Sequence, residues 1–382
     1  MSRILSAGLT VVAPVSALAP ARAAAQTAAG LSGPPSVWRL QVGVGGSWYE
    51  NPRFLPGGDS ASSWSTRGSV GLSTSQRFRK GTFSLSGHGG RLYYPEIDAL
   101  GQWTYGGGAS LALAPSPSTN LTLSQGYVRS NTRQLESLDQ EGLPVPTTGV
   151  DNASTGLGLT QRLSRRTQLE VNGSFTWRRY DNPVLVGGEQ LRSTLGLARS
   201  VGQSDSISIG YGFSQSQSQG RRGRVHVANL GVRHRPERGV SFELGGGAAY
   251  MESVRQWHPT GNAGLSAGGR EVSFSLRYAR DFGLAFGYGR ETIADRVSAS
   301  LGWTPSERVG FHLGYSYGYR RDPADDGFRV RSHVGSAGLS WKIAGGLGFS
   351  AGYSRELSRS GTFTDVEGGR ATASLSYGID WR

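Results

Sequence analysis

The stretch whose reading decides the fold is "RVSASLGWTPSERVGFHLGYSYGYRRDP", residues 296–323. Val297, Ala299, Leu301 and Trp303 alternate with Ser298, Ser300 and Gly302. After Thr304-Pro305-Ser306-Glu307-Arg308 the alternation resumes with Val309, Phe311, Leu313, Tyr315, Tyr317 and Tyr319. Two runs of period two joined by turn chemistry predict an antiparallel hairpin. One face is apolar; the other is Gly310, His312, Gly314, Ser316 and Gly318. A soluble sheet buries its apolar face and covers the other with charged and β-branched residues. If the apolar face instead meets lipid, the small polar face lines a wet interior. The sheet must then close on itself, because open edges have no hydrogen-bond partners in hydrocarbon.

The same period runs outward in both directions. From "VWRLQVGVGGSW" near residue 37 to "RATASLSYGIDW" near the end, segments of about ten residues alternate apolar with small or polar ones, and no period of 3.6 is sustained. About eighteen such segments can be counted. Short links ("RLSRRT", "VGQSD", "TPSER", "KIAGG") alternate with longer ones ("NTRQLESLDQEGLPVPTTGVDN", "SQSQSQGRRG", "ESVRQWHPTG"). The expected fold class is therefore all-β, a transmembrane antiparallel up-and-down β-barrel of about 18 strands over residues 37–382, with short periplasmic turns and longer extracellular loops.

Composition agrees. Of 382 residues 59 are Gly, 36% are hydrophobic and none is Cys, so a disulfide framework and thiolate chemistry are both excluded. The net charge of +13 would suit a nucleic-acid binder, but the strand pattern does not, and no nucleic acid is expected as a partner. "MSRILSAGLTVVAPVSALAPARAAAQT" combines Arg3, an apolar run from Ile4 to Ala19 and small-residue cleavage sites, which reads as a signal peptide over 1–25 followed by a short periplasmic segment over 26–36.

Aromatic residues gather at segment ends: Trp48, Tyr94, Trp177 and Tyr319 toward the loops, Trp38, Trp303, Trp341 and Trp381 toward the turns. Two such bands suit the two membrane–water interfaces, and these eight residues are the expected girdle. Basic residues favour the tight turns and acids the long loops. The alternation assigns Arg39, Arg67, Arg178, Arg192, Arg277, Arg320 and Arg370 to the lumen, with Glu170 and Glu243 among the acids that could brace them. An open interior of this kind would favour anions. Two segments resist assignment: in "RVHVANLGVRH" Val225 and Val227 compete with His226 and Ala228, and "FRVRSHVGSAGL" is equally ambiguous, which a β-bulge or an extension beyond the bilayer would explain.

No catalytic, metal or cofactor pattern stands out. The six histidines form no His-x-x-x-His or His-Glu-x-x-His motif, and "GLSTS" and "GYSYG" lack the helix of a nucleophile elbow. His88 or His258 with nearby serines and acids would be the only material for a site at the loop rim.

The layout resembles a family of Gram-negative outer-membrane β-barrel porins found with exopolysaccharide-export systems. The residues that carry the likeness are "GGSWYENPRF", where an aromatic precedes Asn51-Pro52, then "GRLYYPEIDAL" with its paired tyrosines, and "FTWRRYDNP". The resemblance implies polymer export through the outer membrane with a periplasmic polysaccharide-export protein as partner. "LSYGIDWR" looks like a barrel-assembly signal (Tyr377, Gly378, Ile379, Trp381), although it ends on Arg382 where such signals end on an aromatic. Outer-membrane lipid, lipopolysaccharide and the barrel-assembly machinery are the other expected partners, and the chain is expected to be a monomer. Three functions stay open: a channel for a surface polysaccharide or other anionic solute, a general diffusion porin, and a closed barrel serving as scaffold or loop-rim enzyme. A long loop folded inside would favour the second, and "NTRQLESLDQEGLPVPTTGVDN" is the candidate long enough.

Overall fold

The computed structural model describes residues 37–52, 62–95, 97, 101–132, 146–236, 239–360 and 365–381. The expected signal peptide and periplasmic segment, and most of the long loop after residue 132, lie outside them. The strands are β1 (Val37–Glu50), β2 (Ser62–Phe78), β3 (Gly81–Tyr93), β4 (Gln102–Ser116), β5 (Thr119–Asn131) and β6 (Gly149–Arg162). There follow β7 (Thr167–Tyr180), β8 (Gly188–Ser200), β9 (Asp205–Ser218), β10 (Arg221–His234), β11 (Val240–Met251) and β12 (Gln256–Gly268). The last six are β13 (Val272–Ala285), β14 (Arg290–Ser306), β15 (Val309–Asp322), β16 (Asp325–Ala344), β17 (Leu347–Ser360) and β18 (Val366–Trp381).

Each strand pairs antiparallel with the next, and β1 pairs with both β2 and β18, so the 18-stranded sheet is closed. The opening stretch forms β15 and most of β14, with Leu301 opposite Leu313 and Trp303 opposite Phe311, whose rings stack at 5.2 Å. Closure leaves no edge strand in the apolar zone. It joins Trp38 to Trp381, Leu40 to Ile379 and Val42 to Tyr377, so the residues of the expected assembly signal form the seam.

The large apolar side chains are the exposed ones. Leu244 is 68% accessible, Leu230 64% and Leu313 54%, and along the registers they lie in rows on one face of the wall. Such a surface is stable only against lipid. Among the described residues no helix is long and apolar enough to cross a membrane; the strands do so.

Several links expected to be long are tight. β9 and β10 are joined by Gln219 and Gly220 alone, both at positive φ (46° and 77°), as the backbone of a two-residue hairpin requires. "SQSQSQGRRG" is thus mostly strand, continuing above the bilayer, and the β11–β12 link is similarly short. Polar composition there marks height above the membrane and not loop.

Candidate functional site

Side chains on the face opposite the apolar rows are mainly Gly, Ser and Thr, as at Gly45, Ser47 and Gly314. That face is the inside of the barrel, because side chains from β7, β8 and β9 on it reach Phe282, Phe286 and Glu291 of the β13–β14 hairpin across the interior. What they reach is a hairpin that has left the wall.

β12 pairs with β13 only from Asn262↔Ala279 down to Gly268↔Ser273, whereas β13 continues to pair with β14 as far as Ala285↔Arg290. Beyond Ala279 the hairpin separates from β12 and its tip turns inward. Gly287 (φ 91°) and Gly289 (φ 64°) supply the left-handed conformations of the turn. Phe282 and Ile293 pack on Val225, Ala249 and Met251, the inner residues at the loop ends of β10 and β11. Ala285 and Tyr288 pack on Phe328 and Val330 of β16.

Polar contacts hold the tip from the far side. The Arg192 guanidinium donates to the Phe282 carbonyl (3.2 Å), and that of Arg178 lies 4.5 Å from the centre of the Phe286 ring. Val186, in the β7–β8 link, exchanges both backbone hydrogen bonds with Gly287 (3.0 and 2.9 Å). The Glu291 carboxylate accepts from Ser216 Oγ (3.1 Å) and Ser253 Oγ (2.5 Å). Gly223 lies so close to that carboxylate that a Cβ there would collide with it. Arg290, beside the turn, donates to Asp325 (2.6 Å) and Asp322 (3.3 Å) in the β15–β16 link.

The hairpin therefore narrows the loop end of the interior, with cationic side chains around it. Arg320 on β15 donates to Thr292 Oγ1 (3.4 Å). Across the seam Arg370 of β18 lies over the ring of Tyr49 of β1 (5.3 Å), and Tyr49 meets Tyr94 at 5.9 Å. The Nε atoms of Arg67 and Arg370 are buried without a hydrogen-bond partner among the described residues. Arg277, between Gly264 and Ser298, is exposed to the interior. Arg39 differs: it is bound at both ends of Asp380 (2.6 and 2.9 Å) near the turns, and works as a clasp across the seam. Glu243 accepts from Arg233 (2.7 Å) and Asn262 (3.2 Å), while Glu170 accepts from Gln168 (2.6 Å).

The register puts all seven expected arginines on the inner face, joined by Arg233 and Arg296. Five of the seven (Arg67, Arg178, Arg192, Arg320, Arg370) belong to the loop half with the hairpin. Of the girdle residues, Trp38, Trp303 and Trp341 are exposed, and Trp48, Trp177 and Tyr319 share the outer rows at the loop end. Trp381 pairs with Trp38. Tyr94 does not belong with them: it is 1% exposed and packs inside against Tyr49 and Leu92, because the alternation puts Tyr93 (46% exposed) outside. The two ambiguous segments also resolve: β10 pairs evenly with both neighbours, β16 carries a register shift against β15 just before Arg329, and Val225, Phe328 and Val330 point inward under the hairpin. His88 and His258 are both inner residues, on β3 and β12, and are not brought together.

Sequence reasoning missed the hairpin itself. "RDFGLAFGYGRETIAD" keeps the alternation of a strand and was passed over as wall, while the long loop after residue 132, favoured for that role, lies mostly outside the described residues. The available signal was the set of apolar inner residues at neighbouring loop ends, which a wet interior does not explain.

No protein-family model matches the chain, and no curated protein matches its sequence. Solved structures do. Pseudomonas aeruginosa OpdO matches with a TM-score of 0.50 at 14% identity, over 91% of this chain and 98% of that one. The siderophore receptor PirA of the same organism matches with 0.50 at 8% identity, over 92% of this chain and 81% of that one. P. aeruginosa OpdK with vanillate matches with 0.49 at 13% identity, over 90% and 99%. The likeness is one of fold: the chain has the closed antiparallel β-barrel of these outer-membrane structures, and its exposed apolar outer rows suit a wall that faces lipid.

Proposed function

We propose that this protein is a diffusion channel of the outer membrane for small anionic solutes, with the β13–β14 hairpin setting its aperture. The observation that carries this reading is the cationic inner wall at the level of the hairpin, above all Arg67 and Arg370, whose Nε donors have no partner among the described residues. Those Nε atoms are themselves closed to solvent, so it is the guanidinium charge, not a bond from Nε, that draws a solute carboxylate or phosphate. Eighteen strands suit a water-filled channel. The field of the wall concentrates anions at the mouth, while the distribution of arginines over many strands keeps any one stop shallow enough to leave.

Export of a polymer, which the family resemblance implied, has less in its favour: the hairpin crosses to the β7–β10 wall and stands in the path of a wide chain. The test is single-channel recording in planar bilayers under a salt gradient. A reversal potential favouring anions, reduced in Arg67→Gln with Arg370→Gln, supports the reading. Cation preference, or selectivity indifferent to both substitutions, overturns it. Current blocked by a long anionic polysaccharide entering from the turn side, with no effect of small carboxylates, would restore the polymer reading.

A further inference from the structure

The outer wall carries a cationic patch where lipid, not water, is expected. On β15, β16 and β17, just beyond the aromatic row, Arg321 lies directly opposite Arg329 and Arg331 directly opposite Arg359. All four side chains are exposed. Like charges at directly opposed positions of a sheet repel; Arg329 has a partner of its own, which leaves Arg331 and Arg359 as the pair that calls for added counter-charge. Nearby acids are largely taken: Asp295 accepts from both ends of Arg280 (2.6 and 2.9 Å) and from Tyr278 Oη (2.8 Å), and Glu367 is held by Arg355. Arg359 meets Asp365 only at 3.5 Å, and Arg331 lies over the Tyr319 ring (5.7 Å).

Directly below, toward the bilayer, runs a groove lined by Leu301, Leu313, Tyr315, Ala337 and Tyr353, with Arg355 at its upper end. Gly335 forms its floor, with open space where a side chain would be. A groove between apolar rows fits a hydrocarbon chain; a guanidinium cluster at its upper end fits phosphate, which arginine binds bidentately. Since the longer loops of such barrels are extracellular, this end faces the outer leaflet.

We propose that the β15–β17 outer face is a binding site for the phosphorylated glycolipid of the outer leaflet, phosphate on Arg331 and Arg359 and one acyl chain along Gly335. Charge complementarity selects this occupant over an uncharged lipid or a second barrel. The site is independent of the channel reading.

The experiment is native mass spectrometry of the whole detergent-extracted protein with added bis-phosphorylated lipid A, dephosphorylated lipid A, or inorganic phosphate. The wild type should retain one lipid A per barrel, and the dephosphorylated form should bind at least tenfold more weakly. Arg331→Glu with Arg359→Glu should weaken lipid A at least tenfold. Gly335→Phe, which fills the groove and leaves every arginine, should weaken it several-fold. Arg165→Glu, in a turn at the opposite end, should change nothing. Heat-modifiability on gels checks folding, and Arg331→Gln replaces the double reversal if that variant does not fold. Equal binding of dephosphorylated lipid A, displacement by millimolar phosphate, or indifference to the substitutions on the outer face would overturn the proposal.

Discussion

Truncating Phe282 to alanine separates the hairpin from the wall. The ring is 6% exposed and packs against Val225, Ala249, Met251 and Ile293. Removing a buried Phe side chain costs about 3–5 kcal/mol in a well-packed core. Very little of that loss should fall on the barrel, whose ladders between β10, β11 and β12 do not use this side chain. It falls on the equilibrium between a docked and an undocked tip. At the low end, about 3 kcal/mol lowers the docked-to-undocked ratio about a hundredfold. The Arg192 bond to the Phe282 carbonyl and the Val186–Gly287 bridge survive the substitution, so the tip should still dock, but less of the time. Single-channel traces should then show added excursions to a higher conductance. Hydrogen exchange should accelerate at the Gly287 amide, which donates to Val186 in the docked form. Phe274→Ala, on the outer face, should leave both unchanged. Gly223→Val reaches the same end by another route, since its side chain would meet the Glu291 carboxylate and hold the tip away. If Phe282→Ala folds normally and neither conductance nor exchange over 282–291 moves, the hairpin is not an independently docked element and the reasoning fails.

Four other substitutions probe the wall, the hairpin and the lumen separately. Leu301→Arg puts a charge into the apolar outer row and should destabilise the folded barrel by about 2–4 kcal/mol; Ser300→Arg, one residue away on the inner face, should cost far less, both read by urea titration in lipid vesicles. Glu291→Gln keeps the shape but weakens bonds from Ser216 and Ser253 that a charged acceptor strengthens, by about 1–2 kcal/mol in all, so its conductance excursions should be rarer than those of Phe282→Ala but more frequent than in the wild type. Arg67→Met removes a guanidinium whose Nε is buried without a partner among the described residues, and should raise the melting temperature while lowering anion selectivity; a lowered melting temperature would mean that the guanidinium braces the fold.

The wall was legible because its rule is short. A period of two assigns every side chain to one of two faces, and closure follows from the chemistry of hydrocarbon, so β14 and β15 could be drawn from "RVSASLGWTPSERVGFHLGYSYGYRRDP" with Trp303 and Phe311 near the same turn. The same rule placed Arg178, Arg192 and Arg320 on one face without saying what they touch. Where it failed, it failed for one physical reason: alternation records that a face is apolar, not whether lipid or protein covers it. Phe282, Leu284 and Phe286 alternate as wall residues do, yet Phe282 is buried within the barrel. Tyr93 and Tyr94 are chemically identical, and only the register of β3 against β2 and β4 decides which faces the membrane.

The two segments that defied assignment carry the lesson furthest. Val225 and Val227 on β10, and Phe328 and Val330 on β16, are apolar side chains on a face that should meet water. They lie at the loop ends of strands on either side of the β13–β14 pair, and the hairpin tip lands on both. An apolar residue on the wet face of a barrel strand is costly unless something covers it, and two such sets on strands to either side of one hairpin indicate the cover. Apparent breaks in a barrel's alternation are therefore best read in pairs across the interior. A lone break suggests a bulge, whereas matched breaks flanking one connection suggest that this connection folds inside. Here the connection so identified, residues 286–289, is among the shorter links at its end of the barrel, which is why a search by loop length overlooked it.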